Sequence, residues 1–250
     1  IPIIRPLSQC LAANEIKGIA GILNGTTNFI LTKMIHENMP FGQALQLAQS
    51  MGYAERDPAA DVEGLDACRK ICILASLAFG RHVYPQDVHT EGISALTPED
   101  VAYASAWGGV IKLIGWVKRM PDDRIAALVS PAFVPGESPL SNVDDVFNGI
   151  LVQGDATGDV VFYGRGAGKL PTASAVVADV IDAVKHLKAR KYLYWKPAQP
   201  GYVWDYRLVP AVFSVRVKGP TRPALLRATA ALFGTGSGNR RPDTPAGVAA

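Results

Sequence analysis

The chain reads as an α+β protein, a mixed β-sheet with helices packed on it. Three observations predict this. β-Branched and apolar runs fall in groups among the helices, without regular β–α alternation. Asp155-Ala156-Thr157-Gly158-Asp159 is a hairpin turn into the run Val160-Val161-Phe162-Tyr163, and a further strand candidate precedes it within 143–152. A long apolar helix, 61–79, is bounded by a turn at Asp57-Pro58 and by a stop at Gly80.

The elements follow in order. Residues 7–13 read as a short helix and 16–23 as a strand. Asn24-Gly25 signals a turn, after which Thr26 or Thr27 caps a helix over 28–37. Pro40 starts a helix over 41–51 that stops at Gly52. Asp61 is the expected N-cap of the apolar helix that follows the acidic loop. A connection over 82–93 has room for a short strand. Thr97-Pro98-Glu99-Asp100 is a helix start with a box-like cap. The stretch 106–117 is strongly apolar, with Trp107 and Trp116 as core or interface residues. Residues 124–129 read as a strand, 131–139 as an irregular link, and 172–187 as a helix after a glycine loop. Beyond that, 191–208 is expected to be linker, with a Pro-rich stretch at 196–201. Residues 209–233 read as a strand and a helix, and 234–250 as a disordered tail.

Bulk properties narrow the function classes. At 250 residues the chain accommodates one large domain, or one domain with a small appendage. Its 48% hydrophobic and 19% charged content fits a soluble globular protein. The net charge of +3 comes from interspersed acids and bases, and no basic, aromatic-interleaved patch argues for nucleic acid. No apolar run reaches the length of a membrane span, and Ile1-Pro2-Ile3-Ile4-Arg5 does not open a signal peptide or look like a natural N-terminus. The cysteines, Cys10, Cys68 and Cys72, form no disulfide framework, so a cytoplasmic location is expected. Cys68 and Cys72 lie one helical turn apart and read as core rather than metal ligands.

The chemistry-bearing stretch is Gly52-Tyr53-Ala54-Glu55-Arg56-Asp57-Pro58-Ala59-Ala60-Asp61-Val62-Glu63-Gly64-Leu65-Asp66-Ala67-Cys68-Arg69-Lys70. Asp66 and Lys70 share one face of the apolar helix. Spacing alone most often describes a solvated surface pair worth a few tenths of a kcal/mol. A second segment, Gly164-Arg165-Gly166-Ala167-Gly168-Lys169, follows a strand and opens a helix. Its spacing fits neither a P-loop nor a dinucleotide fingerprint. A tight turn, a phosphate cradle and a close approach to a flat ligand all remain open.

The pattern Gly-Tyr-x-Glu-x-Asp-Pro-x-x-Asp-x-x-Gly-x-Asp-x-x-x-Lys resembles the signature of the homoserine dehydrogenases. Gly21-Ile22-Leu23-Asn24-Gly25-Thr26-Thr27-Asn28-Phe29-Ile30-Leu31 and the glycine loop with its helix, through Asp179, are similar to the same family, in the same order. The likeness covers the first 190 residues and implies a catalytic and dimerisation domain there. It implies an NADP- or NAD-dependent oxidoreductase interconverting L-homoserine and L-aspartate 4-semialdehyde, in the biosynthesis of threonine, methionine and isoleucine. It also implies a homodimer. Carried over by position, Lys70 is the proton donor and Asp66 orients it or holds the substrate hydroxyl. Glu55 meets the substrate ammonium group, and Asp61 supports the lysine. Gly25, Thr26 and Tyr53 line the pocket, and Gly168 contacts the cofactor. The backbone carbonyl of Ile1 would be the last member of a monovalent-cation (Na+) site.

The family also carries a Rossmann domain with a second active-site lysine, which these residues do not include, so the chain is expected to be inactive alone. Residues 209–233 weakly resemble the opening of an ACT domain. Two other readings are a dimerisation or regulatory remnant, and a nucleotide-binding module built on the Gly164–Gly168 loop. Glu55, Asp61, Asp66 and Lys70 together favour the enzyme, because a remnant has no need of all four.

Overall fold

A computed structural model describes residues 1–189, 195–210, 221 and 227 of the chain. Its elements run β1 (Ile16–Ile22), α1 (Gly25–Glu37), α2 (Phe41–Ser50), α3 (Ala59–Val62), α4 (Leu65–Phe79), β2 (His89–Thr90), α5 (Pro98–Trp107), β3 (Gly109–Arg119), β4 (Ile125–Pro135), β5 (Phe147–Gly154), β6 (Gly158–Arg165) and α6 (Lys169–Lys185). The sheet order is β2-β4-β3-β1-β5-β6. All neighbours are antiparallel except β2, which lies parallel to β4. The α+β expectation holds.

β1 is short and apolar, and it occupies the middle of the sheet with β3 and β5 on either side. Helices α1, α4 and α5 cover one face. The main core there contains Ile19, Ile30, Leu31, Ile71, Ala75, Ile111, Val117, Val129 and Val152. Gly115 lets α4 come close, since a Cβ there would stand 3.4 Å from that of Ile71. The opposite face has a smaller core of Ile22, Ile114, Val134, Leu140 and Val143.

Several local readings change. Where a helix was expected over 7–13, a π-helical turn covers Pro6–Cys10 and residues 11–13 form a turn. The cap of α1 is Asn24, whose side chain accepts from the Thr27 N–H, and so the helix starts at Gly25. Asp61 does not cap α4. It lies inside the short α3, and Gly64, with φ +79°, turns the chain into α4. A side chain there would be strained in conformation and crowded by Thr90 and Glu91, which is why glycine stands at this cap. β4 runs on through residues expected to be irregular. β2 covers only Leu128 and Val129, so the missing N–H of Pro131 falls where β4 is an edge strand. The cap at Thr97 and Asp100 forms as read, with Asp100 Oδ2 2.9 Å from the Thr97 N–H.

Residues 195–204 lie against the domain where linker was expected. Lys196 bridges to Arg81 and Val203 to Ile125. The strand at 209–217, the helix at 223–233 and the tail at 234–250 lie, but for Val209, Pro210 and Arg227, outside the described residues. Among the described residues no helix is long and apolar enough to cross a membrane.

One buried cation fixes the segment that leads into β5. The side chain of Lys112 in β3 is 0% exposed. Its Nζ donates to Val143 O at 2.7 Å, Asp144 Oδ1 at 2.9 Å and Asn28 Oδ1 at 3.4 Å. The Asn28 amide also donates to the carbonyls of Val143, Asp145 and Phe147. Burial lowers the Lys112 pKa, and the bond to Asp144 opposes that shift. Burial pushes the Asp144 carboxyl upward, but its bonds to Lys112 and His36 outweigh this and hold it below the usual aspartate range.

Truncating Asp144→Ala leaves a buried ammonium one acceptor short. The expected loss is about 2 kcal/mol, below that of a fully buried pair because Asp144 is partly exposed. A lower urea midpoint at unchanged slope checks this. The depressed Asp144 pKa also gives an acid arm. As pH falls through the unfolded aspartate value of about 3.9, the unfolded chain takes up its proton first and stability drops. Asp144→Asn should flatten that drop in urea titrations.

Candidate active site

The site is built where β1 ends. Asn24 is buried, and both ends of its amide are used. Its Oδ1 accepts from the Thr27 N–H at 2.9 Å and the Thr27 hydroxyl at 3.1 Å, satisfying the first turn of α1. Its Nδ2 donates to Asp61 Oδ1 at 2.7 Å and to Asp66 Oδ2 at 2.9 Å. One neutral amide therefore draws two carboxylates together, one from α3 and one from the first turn of α4.

Lys70 follows one turn after Asp66. Its Nζ donates to Asp66 Oδ2 at 2.7 Å and to the backbone carbonyl of Leu23 at 3.0 Å. An ammonium has three N–H donors, so these two bonds leave one for a further oxygen. The Lys70 side chain is 48% exposed and that of Asp66 29%, so the amine is open to a ligand. The pair is aimed by the end of β1 rather than left to wander in solvent.

The neighbouring loop is tied to the same turn. The Thr26 hydroxyl donates to Tyr53 O at 2.7 Å, and the Tyr53 ring meets Phe29 edge-on at 5.0 Å. Gly25, the first residue of α1, packs on the segment before β5, where a Cβ would stand 2.9 Å from Val146 O. The structure thus brings Gly25, Thr26, Tyr53, Asp61, Asp66 and Lys70 around one turn. Glu55 is exposed on this loop, and its backbone carbonyl accepts from Gln49. Among the described residues no hydrogen bond or ion pair joins its carboxylate to Asp61, Asp66 or Lys70.

The glycine loop follows β6, which lies two strands from β1 in the sheet. Gly168, with φ +119°, is the N-cap of α6, and no side chain caps that helix. Its first-turn N–H groups suit an anionic or polar ligand. The Ile1 carbonyl accepts from Ile3 N–H at 3.0 Å, and the Ile1 amino group lies 3.4 Å from Arg165 O. Among the described residues no group of three or more acids, cysteines and histidines is placed to hold a metal.

Two contributors escaped sequence reasoning. Asn24 was visible as the first half of an Asn-Gly turn, but nothing local shows that its amide reaches two carboxylates far along the chain. Leu23 acts through its backbone carbonyl, which leaves no mark in a side-chain pattern.

Comparison with known proteins bears on this geometry. A family model described as homoserine dehydrogenase matches residues 2–181. A homoserine dehydrogenase of Synechocystis is 52% identical over 187 residues, covering 74% of this chain and 43% of the relative. The crystal structure of a homoserine dehydrogenase from Thiobacillus denitrificans superposes with a TM-score of 0.74 at 44% identity, covering 82% of this chain and 48% of that one. A hyperthermophilic archaeal homoserine dehydrogenase in complex with NADPH superposes with a TM-score of 0.61 at 30% identity, covering 74% and 52%. The chain spans about half the length of the relatives it matches.

Asn24→Ala removes both the cap of α1 and the tether on the carboxylates. A loss of about 1–2 kcal/mol is expected from the cap alone. Asn24→Ser should recover much of that stability, since serine also caps, while leaving Asp61 and Asp66 untied. Equal urea midpoints for the two variants would show that the cap contributes nothing.

Proposed function

The chain belongs to the homoserine dehydrogenase family, and on that premise we propose that it supplies the substrate-binding half of an NAD(P)-dependent dehydrogenase. The reaction is the interconversion of L-homoserine and L-aspartate 4-semialdehyde. The observation that carries this reading is the Lys70 ammonium, held by Asp66 and the Leu23 carbonyl with one donor to spare.

Oxidising a primary alcohol removes a proton from oxygen and a hydride from carbon. Bound nicotinamide takes up the hydride. Lys70 handles the proton: as the ammonium it donates to the carbonyl oxygen when the aldehyde is reduced, and as the amine it receives the hydroxyl proton in the reverse direction. Asp66 keeps the amine on the substrate side of α4, and Asn24 keeps Asp66 and Asp61 in place. Glu55, exposed on the adjoining loop, is the partner for the substrate ammonium, with Tyr53, Gly25 and Thr26 as walls. The glycine loop and the uncapped start of α6, at Gly168, fit one side of the cofactor. The NADPH-bound relative supports a nicotinamide cofactor here. No step requires a cation at Ile1.

The sheet supports a homodimer. On the face away from the helices, Leu128, Trp116, Ala20, Leu151 and Val161 stand in register across five strands, and none of them is fully buried. A continuous apolar row of this kind is best covered by a second copy presenting the same row. Trp116→Lys should convert the dimer to monomer in sedimentation velocity, and an unchanged dimer would move the interface elsewhere.

In the intact enzyme, Lys70→Ala should lower turnover at least about 100-fold, the scale of an acid–base group. Glu55→Ala should instead raise the KM for homoserine with a smaller change in kcat. Near-normal turnover in the Lys70 variant removes it from the proton-transfer role. The 250 residues alone should neither bind NADPH tightly nor oxidise homoserine. Calorimetric titration and a homoserine-dependent absorbance assay check both.

A further inference from the structure

We infer that Asn148 is a positioning residue that locks the substrate turn to the glycine loop, so that the two sides of the reaction centre keep one relative placement. This rests on the dehydrogenase reading above. Asn148 lies on β5, is 5% exposed, and has no role in the proton chemistry of Lys70. Its Nδ2 donates to Ile22 O at 2.9 Å. Ile22 is the last residue of β1, and the next two residues supply the Leu23 carbonyl that holds Lys70 and the Asn24 amide that holds Asp61 and Asp66.

The other end of the Asn148 amide faces the glycine loop. A Cβ on Gly166 would stand 2.1 Å from Asn148 Oδ1 and 2.9 Å from its Cγ. Gly166 does not occupy the left-handed region, so contact with Asn148, not backbone conformation, excludes a side chain there. Gly168 is the opposite case, with a left-handed φ and only Pro171 atoms near a Cβ, at 3.6 Å or more. The two glycines of one loop thus answer to different constraints.

The segment carrying Asn148 is rigid at its base. Val143, Asp145 and Phe147 are bonded to Asn28, and Val146 O packs on Gly25. The Phe147 ring stacks on Tyr163 at 5.1 Å, and Arg165 lies over its face. A displacement of the glycine loop therefore passes through Asn148 to the end of β1. Misplacing a reacting group by an ångström costs up to about 100-fold in rate, which makes such a lock useful to hydride transfer.

The test is Gly166→Ala in two backgrounds, read in two ways. In this chain labelled with 15N, Gly166→Ala should shift amide resonances of 22–28 as well as those of 163–170. With Asn148→Ala also present, the further shift caused by Gly166→Ala should be confined to 163–170. Shifts confined to the loop while Asn148 is intact, or equal shifts at 22–28 with and without Asn148→Ala, overturn the inference. In the intact enzyme, Gly166→Ala should lower kcat for homoserine oxidation roughly 10- to 100-fold and raise the deuterium isotope effect on kcat. The same substitution should cost less than about 3-fold on top of Asn148→Ala, because the colliding group is gone. Additive losses with no change in isotope effect overturn the inference. If Asn148→Ala does not fold, Asn148→Ser replaces it, since it also withdraws the amide oxygen from Gly166. Coupled resonances in an enzyme that does not oxidise homoserine would support the lock and refute the function proposed above.

Discussion

The constraint on which the site depends is the full use of one buried amide. Asn24 has an acceptor and two donor hydrogens, and the structure spends all three. The acceptor closes the start of α1, and the donors hold Asp61 and Asp66. Two carboxylates brought this close repel one another, and a neutral double donor is a natural way to keep both. Because Asp66 Oδ2 also accepts from Lys70, the amine is positioned through the same amide side chain that caps α1. Moving the end of β1, the start of α1 or the α3–α4 turn would disturb all of these groups together.

That dependence explains why the supporting structure is built with such costly parts. Burying the Lys112 ammonium is unfavourable unless every donor finds an acceptor. It finds three, from Asn28, Val143 and Asp144, and two of these belong to the segment that leads into β5. A lysine is long enough to reach from β3 across to that segment, where an apolar residue would fill space without fixing direction. The segment then carries Val146 against Gly25 and Asn148 against Ile22. The charge therefore ties β3 and α1 to the segment that leads into β5.

Local features were legible in the sequence and long-range ones were not. The α+β class, the hairpin at Gly158, the Thr97–Asp100 box and the Asp66–Lys70 turn all follow from neighbouring residues, whose spacing dictates geometry. The extent of β4 was hidden because Pro131 is tolerated only on an uncovered edge, and coverage by β2 is a tertiary fact. Asp61 looked like a cap since acids often sit before helices, but Gly64 takes that place and leaves the carboxylate for Asn24. Six of the site positions expected from the family likeness gather at one turn. Glu55 does not join their bonds, and backbone contributors such as Leu23 O carry no residue-type signal at all.

The Asp66–Lys70 pair shows how a geometry ordinarily of little consequence becomes informative. An exposed i,i+4 ion pair is worth only about 0.3–0.5 kcal/mol, and its long side chains lose entropy to form it. Stability alone gives no reason to aim such a pair. Here Lys70 also binds a main-chain carbonyl across from its own helix, and Asp66 binds a buried amide that is itself committed elsewhere. Each extra bond restricts the pair to one arrangement while leaving its outer side open. Order imposed on groups that gain little stability from it is what a reactive site requires, because the geometry must exist before the substrate arrives.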